Sequence, residues 1–287
     1  MNLALGILID GLSYGMALFV ISVGLSITMG LLRVINMAHG GFAMMGGFIA
    51  ATIIGRWGVR FEMALVLASV AVAVLSIPIE RLLIRRLYGR DELDQTLLTI
   101  GIIFVMIATA NVLFGSTVTA LRIPGYLSGS VTIAGHTFPR DRLFVSGAGV
   151  FVAALLWLVI ERTRFGVQVR AAVDNAAIAQ TIGIDTTRLY TATFAVGAGL
   201  AALGGIVGAE LLPMEPFYAL KYLVLFLAVV TVGGLGSIGG TLAAALLLGL
   251  IDTAAKYLAP ELASVALFLA MFVVLSIRPN GLFARHE

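Results

Sequence analysis

The chain has 287 residues, of which 60% are hydrophobic, 11% are charged and none is cysteine, with a formal net charge of +3. Soluble domains run near 25% charged, so a chain this apolar has lipid as its solvent, and a water-soluble enzyme or binding module is excluded. Without cysteine there is neither a disulfide nor a thiolate site, and the small positive charge reads as positive-inside bias rather than nucleic-acid affinity.

A span needs about 20 apolar residues to cross roughly 30 Å of hydrocarbon. The length therefore holds eight or nine spans in one domain, 1–287, with no room for a separate soluble domain. Leucine, alanine and glycine dominate and period-two alternation is missing, which predicts an all-α polytopic membrane helix bundle.

The first predicted segment covers 3–32 and carries no charge from Gly11 onwards. It lacks the basic start and the small-residue cleavage site of a signal peptide and is read as a retained span. Residues 33–41, "RVINMAHGG", then place Arg33, Asn36 and His39 between two uncharged runs. Further segments are expected at 41–55, 61–79, 96–114, 144–160, 191–211, 222–235, 238–256 and 260–277. The loops at 80–95 and 161–190, the tail from Arg278 and Arg33 hold eleven basic residues, against seven in the opposite set. The richer side is cytoplasmic on the positive-inside rule. Nine crossings from a cytoplasmic tail put the chain's start outside, unless 33–41 lies within the bilayer and breaks a helix.

The loop 115–143 is dense in glycine and proline and is not helical. It is either a docking surface for an external partner or a plain connection. The loop 161–190 contains Val169, Ala172, Val173, Ala176, Ala179 and Ile182 in one helical stripe. Arg170, Asp174, Asn175 and Thr181 fall largely off the stripe, and Gly183 stands where a C′ glycine ends a helix. A short amphipathic helix over about 168–183 follows. It lies in the lipid interface or docks its alanine face in a protein groove.

Gly11–Gly15, Gly204–Gly208 and Gly236–Gly240 have the spacing that lets membrane helices approach closely. "GLGSIG" at 234–239 mimics a dinucleotide fingerprint, but no βαβ unit surrounds it and Asp252 falls inside the next apolar run. A tight cytoplasmic-side turn is expected there, with Asp252 and Lys256 paired one helical turn apart. His39, His136 and His286 lie on different segments without metal-ligand spacing, no nucleophile or carboxylate pair presents itself, and no phosphate-binding loop is present.

Four stretches resemble the permease subunits of branched-chain amino-acid ABC importers, in the family's order. They are "GLSITMGLLRVINMAHGGFAMMGGF" at 24–48, "RAAVDNAAIAQTIGID" at 170–185, "VTVGGLGSIGGTLAAALLLG" at 230–249 and "RPNGLF" at 278–283. The first of the family's two paired permease subunits is the better match. Gly41 departs from the glutamate that relatives often carry, which bears on selectivity.

The resemblance implies a multi-pass protein of the bacterial inner membrane, paired with a second permease subunit. Two cytoplasmic ATPase subunits would bind the ATP and Mg, and a periplasmic binding protein would deliver leucine, isoleucine or valine. No cofactor belongs to this chain. Residues 170–185 become a coupling helix seated on an ATPase subunit, with Arg170, Ala172, Val173, Asp174, Ala176, Ala179 and Gly183 at the contact.

An Arg at mid-bilayer costs about 2.5–3.5 kcal/mol, which places Arg33 near the cytoplasmic interface or in a protein-lined cavity. A broken helix near 33–41, built from Asn36, His39, Gly40 and Gly41, would turn a half-helix N-terminus toward an anionic substrate group. The competing account is that Asn36 and His39 only bind neighbouring helices together. Two other functions stay open: a related permease for urea, amides or sugars, and a stand-alone secondary transporter. The second is disfavoured because Asp10, Glu210 and Glu215 lie near span ends and only Asp252 is internal.

Overall fold

A computed structural model describes residues 3–32, 34–121, 123–133 and 136–283. Arg33, Arg122, Arg285 and His286 fall outside the described residues. The described chain is a helix bundle with one small hairpin. Its helices are α1 (Leu3–Leu32), α2 (His39–Trp57), α3 (Phe61–Leu82), α4 (Glu92–Phe114), α5 (Arg140–Arg162), α6 (Arg164–Thr181), α7 (Thr186–Val207), α8 (Tyr218–Lys221), α9 (Leu223–Gly233), α10 (Ile238–Leu258) and α11 (Ala263–Ile277). Among the described residues six helices, α1, α3, α4, α5, α7 and α10, are long and apolar enough to cross a membrane. With α2, α9 and α11 they account for the nine predicted segments. The one departure from all-α is in the glycine-rich loop, where β1 (Ser130–Ile133) and β2 (His136–Pro139) pair antiparallel, Val131 opposite Phe138. Thr119 of that loop also donates its N–H to the Met214 carbonyl at 2.8 Å.

The 30-residue α1 is the axis of the bundle and is buried nearly throughout, whereas α3, α4 and α5 turn most of their surface outward. Only residues without bulk allow this. A Cβ on Gly24 would stand 2.4 Å from the Gly197 carbonyl oxygen of α7, and one on Gly15 2.8 Å from the Ala245 carbonyl oxygen of α10. Backbone meets backbone at these crossings, as small-residue stripes permit.

Basic residues sort to two ends. Arg85 and Arg170 lie at the end where α1 finishes, and Arg142 lies at the other, paired with Asp10. The arginine-rich end is cytoplasmic on the positive-inside rule, and α1 starts at the outer end. The cytoplasmic turn at 234–239 takes the shape expected of it. Gly234 and Gly236 have φ of 94° and 77°, Ser237 caps α10 by accepting from the Gly240 N–H at 3.0 Å, and Gly236 touches Gly30 of α1. The C-terminal motif folds back on the same turn. Leu282 donates its N–H to Val232 O at 2.8 Å, and Phe283 donates to Gly233 O at 3.3 Å. Two carbonyls left open at the end of α9 are thereby satisfied.

Candidate translocation site at a broken helix

The interruption at residues 33–41 returns the chain into the bundle. α1 ends at Leu32, but His39, the first residue of α2, places its Nε2 2.7 Å from the carbonyl of Ile21. A carbonyl only accepts, so Nε2 carries the proton. Ile21 lies eleven residues before Leu32, and at 1.5 Å per residue the bond forms about 16 Å from the cytoplasmic end of α1. Residues 34–38 are non-helical, with a turn at 37–38 and Ala38 in the αR region, and the His39 side chain covers part of that height. α2 therefore begins inside the bundle, and its 19 residues rise about 28 Å, close to the thickness of the hydrocarbon layer.

Irregular backbone at that depth must be satisfied by protein, and α4 does most of this. The Gln95 Oε1 accepts the Ile35 N–H at 2.9 Å, and Thr99 Oγ1 donates to the Ile35 carbonyl at 3.4 Å. His39 N–H reaches the Asn36 carbonyl at 3.4 Å, and Gly41 N–H the Ala38 carbonyl at 2.9 Å. Ala38 supplies no side-chain cap to α2, and these carbonyls already hold two of the first-turn N–H groups, so the helix start offers chiefly the positive end of its dipole. Asn36 is 3% exposed and its Oδ1 finds no partner. The hydroxyls of Ser22, Ser26, Thr193 and Tyr218 are likewise buried without one. Native interiors pair nearly all such atoms, and among the described residues others of this kind, Ser13 and Ser69, lie elsewhere in the bundle, so Asn36 is singled out by its place in the break.

The same depth holds a second helix start. Ala219 of α8 packs on Gly40, where a Cβ would stand 3.2 Å from its carbonyl oxygen, and Phe226 of α9 lies 3.5 Å from that position. The 11 residues of α9 rise only about 16 Å, half a bilayer. Gly41 faces the Met106 sulfur, the movable end of a flexible side chain, so a larger residue here requires Met106 to shift. Of the four residues predicted for this site, His39 and Gly40 make packing contacts, Gly41 borders a soft neighbour, and Asn36 alone carries an unspent polar atom.

The cytoplasmic helix departs from expectation in two ways. The stripe predicts one continuous helix, but Asn175 has φ −156° and ψ 103° and breaks α6. Its Oδ1 accepts the Ile178 N–H at 3.0 Å and caps a second short helix. That helix closes at Gly183 (φ 90°), with Ile184 N–H on Ala179 O, the C′ glycine closure expected there. The alanine face also turns inward. Ala172 and Ala179 are buried against this chain's own core, and Val173 and Ala176 are half-buried. Arg170 is bound to the Ile160 carbonyl and near Glu161 of α5. Ile178 and Ile182, 60% and 70% exposed, together with Asp174 and Thr181, form the open face. An open groove of about 400 Å³ runs between Leu31 and Leu32 of α1, residues 172–177 of α6 and Tyr190 of α7.

Two polar clusters went unpredicted, one buried and one partly exposed. Glu80 is fully buried, and its carboxylate accepts from Arg85 Nη2 at 3.2 Å, Tyr88 Oη at 2.8 Å and Thr191 Oγ1 at 2.8 Å. Gln95 Nε2 donates to the carbonyls of Arg90 at 3.0 Å and Leu87 at 3.4 Å. At the outer end Arg142 Nε lies 3.4 Å from Asp10 and 3.5 Å from Asp141, and Tyr257 donates to Asp10 at 2.6 Å. Partial desolvation, and then the neighbouring Asp141 carboxyl, raise Glu210 above its ordinary 4.5. Asp252 pairs with Lys256 at 2.5 Å, as the one-turn spacing predicts. Among the described residues no three acidic or histidine side chains converge where a metal ion could be held.

Comparison with known proteins agrees with this architecture. The chain is 26% identical over 293 residues to the high-affinity branched-chain amino acid transport system permease protein BraD of Pseudomonas aeruginosa, covering 98% of this chain and 95% of that one. It is 26% identical to the permease protein LivH of Escherichia coli, over 97% and 94% of the two chains. The probable branched-chain amino acid transport permease protein LivH of Methanocaldococcus jannaschii is 25% identical over 88% and 81%. No solved structure matches. The family model described as the permease component of the branched-chain amino acid transport system spans residues 7–275, and this chain belongs to that family.

Proposed function

We propose that the chain is the membrane-spanning permease subunit of an ATP-binding-cassette importer for leucine, isoleucine and valine, in the bacterial inner membrane. It works beside a second permease subunit. Two cytoplasmic ATPase subunits bind ATP and Mg and supply the force, and a periplasmic binding protein delivers the substrate. The observation that carries the reading is near end-to-end similarity to branched-chain permeases, joined to a helix that starts inside the bundle. An uncapped helix N-terminus attracts a carboxylate, and the free Oδ1 of Asn36 accepts from an ammonium group. The aliphatic side chain then needs only apolar walls.

For coupling, the exposed Ile178–Ile182 face of α6 takes the place of the alanine stripe at the ATPase contact. Asp174 stands beside it, and Gly183 ends the lever. The test is uptake of labelled leucine by vesicles holding the complete complex, with excess unlabelled leucine, urea or ribose as competitor. Leucine should abolish uptake while urea and ribose leave it unchanged. Absence of leucine uptake by the complete complex, or inhibition by urea or ribose as strong as that by unlabelled leucine, would reject the substrate assignment.

A further inference from the structure

We propose that Gln95 is a positioning residue. In this reading it is the link through which movement of the cytoplasmic helix α6 sets the height at which α2 starts. The inference rests on the importer reading above and adds the internal route by which force reaches the broken helix.

The route is a series of hydrogen bonds. Gln180 of α6 donates Nε2 to Thr186 Oγ1 at 2.7 Å, at the first turn of α7. Farther along α7, Thr191 is bonded to Glu80 at 2.8 Å and to Arg85 at 2.7 Å. Arg85 stands in the short 3-10 turn Ile84–Leu87, and Ile84 of that turn is fully buried. Leu87 and Arg90, at the end of the same loop, give their carbonyls to Gln95 Nε2, while Gln95 Oε1 holds the Ile35 N–H. Carbonyls only accept and the N–H only donates, so the amide has one possible orientation.

Gln95 is 3% exposed and uses both ends of its side chain at once. If its sole task were to satisfy Ile35, the acceptor oxygen would suffice. The two donated bonds fasten the re-entrant segment to the one loop that is itself fastened to α7. Rigid elements joined by such bonds carry coupling only where they bias a two-state element. The element here is α2, whose start is fixed by the His39–Ile21 bond and the Ile35 clamp.

The test uses the complete complex in vesicles, with Gln95→Glu, Gln95→Met and Thr191→Val. A carboxyl buried against two carbonyls takes up a proton, so Gln95→Glu keeps the acceptor for Ile35 and at most one of the two donors. Gln95→Met loses all three bonds, and Thr191→Val cuts the route at α7. Each variant should assemble and hydrolyse ATP at the parent rate under binding-protein stimulation. Leucine taken up per ATP should fall at least tenfold, with the KM for the loaded binding protein within twofold. Parent-like uptake per ATP in Gln95→Met or Thr191→Val would overturn the proposal, because the severed route would then carry nothing. A parallel loss of uptake and hydrolysis, or failure of all three variants to assemble, would also overturn it by reducing Gln95 to a structural support. Asn36→Ala separates the two readings. If it transports normally, the substrate does not pass Asn36, whereas the Gln95 result stands or falls on uptake per ATP.

Discussion

Asn36 and His39 were legible because polar side chains inside uncharged runs must be explained. Their partners were not, since Ile21 O and the open Oδ1 of Asn36 are facts of depth, and depth is fixed only when 34–38 folds back. Gln95 and Glu80 were hidden for the opposite reason. Each belongs to a charged stretch, "ERLLIRRLYGRDELDQ", that reads as a solvated face until tertiary contacts bury it. The outer cluster gives a prediction in solution. Glu210 titrates above its ordinary 4.5 in the folded chain, so the folded state binds the proton more tightly than the unfolded state. Its contribution is fully present below pH 4.5 and is lost as pH rises through the folded value. Glu210→Gln should therefore raise the Tm at neutral pH and flatten the fall in Tm between pH 4.5 and 7. An unchanged Tm–pH curve in this variant would show that the carboxyl is not perturbed.

At the scale of elements, the segment boundaries followed from hydropathy, because a span is a length of apolar chain and little else. The two irregularities that matter did not. Val169, Ala172, Val173, Ala176 and Ala179 keep helical spacing across Asn175, so periodicity cannot register one extended residue between two helices. An amphipathic stripe also leaves open which protein it faces: Ala172 and Ala179 fill this chain's core, and Ile178 and Ile182 are the residues left exposed. Ile178→Arg and Ile182→Arg should accordingly leave the bundle assembled and lower uptake at least tenfold. Ala172→Arg, which forces a charge into the packing beneath α6, should reduce the yield of folded protein instead. Assembly assays beside vesicle uptake distinguish the two effects, and normal uptake by both isoleucine variants would remove α6 from the ATPase contact. The short α9 carried a visible warning, since its 14-residue apolar segment is too short for a full span.

For the molecule as a whole, the proposed function makes the chain a conduit driven by partner subunits. One buried axis, α1, is enclosed by close glycine crossings. Two helices start inside the bundle beside it, and arginine-rich loops occupy one end. Composition made the bundle readable, and charge placement distinguishes its two ends, since bilayer insertion depends on both directly. The meeting of α2 with α8 and α9 was unreadable, because it joins residues nearly two hundred positions apart. The most direct measurement is leucine uptake by vesicles containing this chain with its companion permease, ATPase subunits and binding protein, with each component or ATP withheld in turn. Uptake should occur only in the complete set with ATP inside the coupling compartment. Leucine transport by the permease chains alone, without ATP or binding protein, would contradict the account.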